Sequence, residues 1–223
     1  MNWLYGAWAV FEKDLRLELR NRYAVNMLLM FVLSSLFLVA FGIGETAVST
    51  RVQGALLWVV ILFSAAVGLG RSFISEEERG TVLLLQLNTR PSMVYAGKLL
   101  FNFLLILGVN IVALGAFMLL LRVDVRAPGL LLSTLALGAL GLSGATTLLA
   151  AIIARAANKG PLLPVLLFPL LVPLLLSVVS ATQAALPMGN GWNEAGDELL
   201  TLFGFAGVVI TVSVLLFDYV WND

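Results

Sequence analysis

The sequence predicts an all-α membrane protein in which an amphipathic interfacial helix precedes six transmembrane helices. Three observations lead there. Apolar residues make up 61% of the chain and charged residues only 12%, far from the roughly half-apolar composition of soluble domains. Six apolar runs reach the ~20 residues that a helix needs to cross the hydrocarbon core. Ahead of those runs, residues 3–22 mix charges with bulky apolar side chains at helical spacing.

In that first segment Leu4, Trp8, Phe11, Leu15 and Leu19 form one apolar stripe, and Lys13, Arg16 and Arg20 lie opposite it. Glu12–Arg16 and Glu18–Arg22 have the favourable i,i+4 order. Such a helix lies in the membrane interface with Trp8 and Phe11 toward lipid; packing on protein is the alternative, and the lack of any soluble core argues against it. Charges run from Glu12 to Arg22 before a long apolar core begins, so the segment does not read as a cleavable signal peptide and the N-terminus is expected to be retained.

The six spans are expected at about 24–43, 54–74, 99–121, 129–154, 161–181 and 199–220, forming one permease-sized transmembrane domain over 1–223. Lys13, Arg16, Arg20, Arg22, Arg71, Arg79, Arg90, Lys98, Arg155 and Lys159 fall on one side, against Arg51, Arg122 and Arg126 on the other. The positive-inside rule makes the first side cytoplasmic, with both termini and the 72–98 connection. The fourth span gathers Gly138, Ala139, Gly141, Ser143, Gly144 and Ala145, which favour close helix packing. The fifth carries Pro161, Pro164, Pro169 and Pro173, a possible hinge, although proline is also common in spans without bending function. Residues 182–198 are expected to face outward, as a short loop or a re-entrant hairpin.

Chemistry is excluded more readily than assigned. The chain has no Cys and no His, which removes disulfides, thiol chemistry and the commonest metal and haem ligands. No glycine loop of the ATP-binding type occurs, and no acids, bases or ligands converge as a catalytic site would, so catalytic and metal residues are none and the chain is not expected to be an enzyme. Formal net charge is zero, and no nucleic-acid partner is expected. The spans are nearly free of ionisable residues, which disfavours an ion-coupled carrier or channel. Asn102 and Asn110, the strongest polar residues of the third span, are expected to make interhelical hydrogen bonds.

The cytoplasmic connection holds what remains. Ser75 and Glu78 have capping-box spacing, Glu76 and Glu77 suit a helix start, Arg79 follows, and Gly80 permits a turn before Thr81. The run that follows, ended by Pro91, is too short to span. Its Val82, Leu83, Leu84, Leu85 and Leu87 would form an exposed apolar patch, a mark of an interface, unless the lipid surface or the spans cover it.

These residues carry a resemblance. The interfacial helix, the six spans and the stretch from Glu76 to Pro91, with an E-x-x-G-T core at Glu77, Gly80 and Thr81, resemble the type-2 ABC exporter permeases. Within them, "WAVFEKDLRLELRNR", "ALLWVVILFSAAVGLGRSFISEEERGTVLLLQL" and "GATTLLAAIIARAANKGPLLPVLLFPLLVPLLLS" are similar to the cytochrome c maturation permeases, the CcmB family, over roughly residues 8–180. The 155–160 turn departs from the two adjacent arginines often found there. The resemblance implies a multi-pass protein of the bacterial inner membrane and a coupling segment at 75–91 that docks a separate ATP-binding subunit, CcmA. It also implies work with CcmC, CcmD and the haem-loaded chaperone CcmE, and pairing of two permease copies. ATP would be bound by the partner and haem handled by the complex, with no cofactor held directly by this chain. A type-2 exporter of a lipid, polysaccharide or drug is the alternative.

Overall fold

The computed structural model describes residues 2–44, 48–69, 73, 76–77, 80–154, 162–187 and 189–222. Among them lie eight helices of seven residues or more: α1 Trp3–Asn21, α2 Tyr23–Ile43, α3 Thr50–Leu69, α4 Val82–Asn88, α5 Pro91–Leu121, α6 Pro128–Ala154, α7 Leu162–Ala185 and α8 Trp192–Asn222. Helices α2, α3, α5, α6, α7 and α8 are each long and apolar enough to cross a membrane, so the six expected spans are all present. Leu28 near the start of α2 lies against Gly68 near the end of α3, and Val94 and Tyr95 at the start of α5 share one apolar cluster with Ala154 at the end of α6 and Phe217 and Trp221 at the end of α8.

Two spans begin earlier than their apolar windows. α5 starts at Pro91, whose missing N–H and fixed φ suit the first turn of a helix, rather than near residue 99. α8 starts at Trp192 rather than near 199. Each has 31 residues, about 46 Å at 1.5 Å per residue, and so overreaches a hydrocarbon core of ~30 Å. The first turns include Ser92 and Lys98 in α5 and Asn193, Glu194 and Asp197 in α8, which lower the local hydropathy, and this is why hydropathy alone places the starts too late.

α6 forms the centre, packed against α3, α5, α7 and α8. Gly138, Ala139, Gly141, Ser143, Gly144 and Ala145 are all buried, as the composition predicts. A Cβ at Gly138 would lie 2.2 Å from the Trp58 ring and one at Gly141 2.3 Å from Leu174, so α3 and α7 approach α6 where a side chain has been given up. Trp58 donates from its indole nitrogen to Thr182 Oγ1 at 2.9 Å, tying α3 to α7. Asn102 donates to Thr147 Oγ1 at 2.9 Å, the interhelical bond expected of it. Asn110 is fully buried, yet neither its amide nitrogen nor its oxygen has a partner among the described residues.

α7 runs continuously through Pro169 and Pro173. Both rings sit on its exposed face, while Leu167, Leu171, Leu174 and Val178 turn inward. Pro164 lies in its first turn and Pro161 lies outside the described residues. The segment 182–198, expected as an outward loop or hairpin, resolves mostly into helix: α7 continues to Ala185 and α8 begins at Trp192. The short link between them folds back, with the Gly191 amide on Ala184 O at 3.0 Å and the Gly189 amide on Leu186 O at 3.0 Å. Ala185 O also accepts the Arg126 and Ala127 amides, both at 3.1 Å, and the Arg126 guanidinium donates to Gly189 O at 3.1 Å. The connection before α6 is thereby fastened to the one after α7.

α1 does more than float in the interface. Phe11 leaves the expected stripe and joins Gly6, Val10 and Asp14 as a buried face against the start of α5. Leu4, Trp8 and Leu19 stay exposed. The contact is close because Gly97 has no side chain: a Cβ there would come within 2.6 Å of Ala7 O and 2.7 Å of Val10. The absence of a soluble core therefore misleads, since the protruding first turns of α5 supply a surface. α1 ends at Arg22, whose left-handed backbone (φ 51, ψ 21) turns the chain straight into α2. The Glu18 carboxylate accepts the Val25 amide at 2.8 Å across this corner.

Candidate functional site

The residues of greatest interest meet at the end of the bundle where α1, α4 and the start of α5 lie. Gly80, with φ 66, makes the turn into α4, a conformation that suits a residue without Cβ. Its amide reaches Glu77 O at 3.1 Å and the Thr81 amide reaches Glu76 O at 3.0 Å. α4 is closed after seven residues. The Thr89 amide and hydroxyl bond Leu85 O at 2.9 and 2.6 Å, and the backbone then extends into Arg90 and Pro91.

Five apolar residues of α4 were expected on one exposed patch; the helix divides them. Val82 and Leu85 are half-buried against a cluster of Phe73, Val94, Tyr95, Leu148, Phe217 and Trp221. Gln86 donates to Trp221 O at 2.6 Å, fixing α4 to the end of α8. Leu83, Leu84 and Leu87 remain outside, 68%, 62% and 82% exposed. A seven-residue helix covers about two turns, so one side must face the protein that holds it, and Val82 and Leu85 occupy that side. Of the remaining coupling-segment residues, Glu77 is exposed, while Ser75, Glu78 and Arg79, and with them the capping box, lie outside the described residues.

Glu76 is not a helix-start acid in solvent. It is buried, and with Lys13 and Asp14 of α1 and Lys98 of α5 it forms an ion network. Lys98 Nζ stands 3.0 Å from Asp14 Oδ2 and 3.2 Å from Glu76 Oε1, and 5.0 Å from the centre of the Phe73 ring. Lys13 pairs with Glu76 and, at 3.2 Å, with Asp14. The second Glu76 oxygen takes the Thr81 hydroxyl. Two cations and two anions cancel, the condition under which buried charge is tolerated. Burial pulls the Glu76 carboxyl upward, but the Lys98 ammonium, the Lys13 and Thr81 hydrogen bonds and the Lys13 charge outweigh it and hold the group down at about 2, against an ordinary 4.5.

The network escapes sequence reading because its members lie far apart in the chain. The spacing of α1 puts Lys13 on its solvent face and leaves Asp14 as one charge among several in an amphipathic helix. The one local signal is Lys98, a charge within an apolar helix. Arg16 and Arg20 face outward as expected, Arg16 pairing with Glu12. Trp8 is exposed and stacks obliquely on Phe11 at 5.0 Å. Among the described residues, no three His, Cys, Asp or Glu side chains converge as metal ligands would.

Six spans, with a short leucine-faced helix held outside them, define a multi-pass helical membrane protein, and comparison with known proteins narrows this to a transporter permease. Residues 5–218 match the family described as CcmB protein, and the chain belongs to that family. It is similar to Heme exporter protein B of Bradyrhizobium diazoefficiens, with 30% identity over 82% of this chain and 84% of the relative. Heme exporter protein B of Paracoccus denitrificans is 32% identical over 93% of each chain, and that of Rhodobacter capsulatus 31% identical over 75% of this chain and 78% of the relative.

Proposed function

We propose that this chain is the permease subunit of an ATP-driven complex of cytochrome c maturation in the bacterial inner membrane. Both termini and α4 face the cytoplasm. Its residues 75–91 form a docking element for the ATP-binding subunit CcmA, and hydrolysis there is coupled through the spans to haem handling and release of haem-loaded CcmE, with CcmC and CcmD as companions. Two permease copies act together, each as one transmembrane domain.

The observation that carries this reading is the exposed row of Leu83, Leu84 and Leu87 on a helix anchored from behind by Val82, Leu85 and Gln86. Exposed apolar surface on an ordered element calls for a partner, and here the element is tied to several spans at once. The names of the relatives supply the haem connection. Without His or Cys, only Met and Tyr remain among the familiar side-chain axial ligands, which favours transmission of force over haem ligation by this chain.

The test is a double substitution of the outward residues, Leu84→Asp with Leu87→Asp, leaving the inward Leu85 alone. The variant should insert normally and lose co-purification of the ATPase subunit; undiminished recovery overturns the docking assignment. Deleting the gene should abolish holocytochrome c. Normal holocytochrome c would transfer the reading to a type-2 exporter of a lipid, polysaccharide or drug.

A further inference from the structure

We propose that Glu76 and Lys98 are positioning residues that join α4 to the third span, α5, so that a displacement of the docking helix is delivered to the bundle. The proposal rests on the reading of α4 as the ATPase-docking helix and names the contact through which that docking acts.

Glu76 is bound on every side. Its main-chain oxygen accepts the Thr81 amide at 3.0 Å, and one carboxylate oxygen takes the Thr81 hydroxyl, at the residue that immediately precedes α4. The other carboxylate oxygen receives Lys98 Nζ at 3.2 Å and Lys13. Lys98 is 1% exposed and the Glu76 side chain 7%. A buried charge pair of this kind resists separation, because pulling the partners apart leaves each charge without compensation in a poorly solvated site. The start of α4 cannot shift without drawing Lys98, and with it the first turns of α5.

The remaining ties of α4 are the two-residue connection Thr89–Arg90, which holds the far end of the helix to α5, the apolar contacts of Val82 and Leu85 with residues of α5, α6 and α8, and one hydrogen bond from Gln86 to α8. Apolar contacts are non-directional and permit sliding, whereas the carboxylate with its two ammonium partners fixes direction and distance. Lys13 and Asp14 hold α1 in the same assembly, while the charged tie between the start of α4 and α5 runs through Glu76 and Lys98.

Charge-matched pairs separate this role from simple stabilisation. Glu76→Gln with Lys98→Met removes the charged tie between the start of α4 and α5 and leaves the neutral pair Lys13–Asp14. Lys13→Met with Asp14→Asn removes the same number of charges and leaves the link intact. Each pair is expressed with the full complex in a deletion strain. The measurements are recovery of the ATPase subunit, its rate of ATP hydrolysis, the thermal midpoint of the purified complex and the yield of holocytochrome c. The first pair should keep the ATPase bound and hydrolysing while holocytochrome c falls by about tenfold, within the usual range of coupling between sites; the second should stay close to wild type. A wild-type yield from the first pair with the ATPase bound overturns the proposal, as does an equal fall in both pairs that follows their thermal midpoints. Should the first pair fail to accumulate, Glu76→Asp is the readout: its carboxylate keeps the charge but is withdrawn from Lys98, so a normal yield at normal ATPase recovery also overturns the proposal. Absence of the ATPase from the wild-type complex would instead sink the docking assignment.

Discussion

A valine at position 97 would enter the seam between α1 and α5. Its Cβ alone would sit 2.6 Å from Ala7 O, 2.7 Å from Val10 Cβ and 2.9 Å from Val10 Cγ1. The first of these is backbone, so no side-chain rearrangement relieves it and α1 must move as a body. Overpacking of this kind costs about 1–3 kcal/mol, while valine and glycine differ by only a few tenths of that in helix preference. At about 2–4 °C per kcal/mol for a chain of this length, Gly97→Val should lower the melting midpoint in detergent by roughly 2 to 12 °C. The control lies on the same helix. A Cβ at Gly108 meets nothing within 4 Å, and Gly108→Val should leave the midpoint unchanged. Displacement of α1 can be read independently, since the chain has no native cysteine. Cysteines at positions 3 and 92, where Trp3 donates to Ser92 Oγ at 3.1 Å, should accept a short bis-maleimide cross-link in the parent and lose it in the Gly97 variant. Equal midpoints and equal cross-linking for the two valine variants would refute the close seating of α1. Recovery of Gly97→Val by Val10→Ala would refute the assignment of the clash to the Ala7 backbone.

The lowered Glu76 pKa gives acid sensitivity with a defined sign. A carboxyl held at about 2 when folded and 4.5 otherwise contributes fully above pH 4.5 and loses its contribution as pH falls toward 2. The loss is about 3 kcal/mol, and Glu76→Gln should flatten the midpoint against pH across that window. Asn110 is buried without a partner, so Asn110→Leu should hold or raise the melting midpoint, because it removes an unmet desolvation cost of about 1–3 kcal/mol; a drop of several degrees would show that Asn110 is engaged. Trp58→Phe strips the Thr182 hydroxyl of its buried donor and should cost about 1–3 kcal/mol, with part of the loss regained on adding Thr182→Val, as a double-mutant cycle of midpoints would reveal.

Span number and helical class were legible in the sequence because each span is a continuous apolar run, and the role of the small residues of α6 followed from composition. Helix starts were not, because hydropathy marks where lipid contact begins while Pro91 and Trp192 begin helices in a polar setting. The division of α4 was hidden for another reason. Five neighbouring apolar residues look alike in a sequence, and only the position of Phe73, Phe217 and Trp221 decides that Val82 and Leu85 turn inward. Asp14, Glu76 and Lys98 posed the hardest case, since an ion network among residues 22 to 84 positions apart leaves no periodicity to detect. Asp14 falls beside the polar face of an amphipathic helix, where a charge attracts no notice.

Arg22 joins α1 to α2 as a single residue in a left-handed backbone conformation, which costs a side-chain-bearing residue about 1–2 kcal/mol. An elbow of one residue has no slack. The angle between the two helices is set by one pair of torsions, so α1 cannot drift independently of α2; any tilt of α2 is passed to it as rotation, and the exposed aromatic face of α1, with Trp3, Tyr5 and Trp8, turns with the span to which it is bolted.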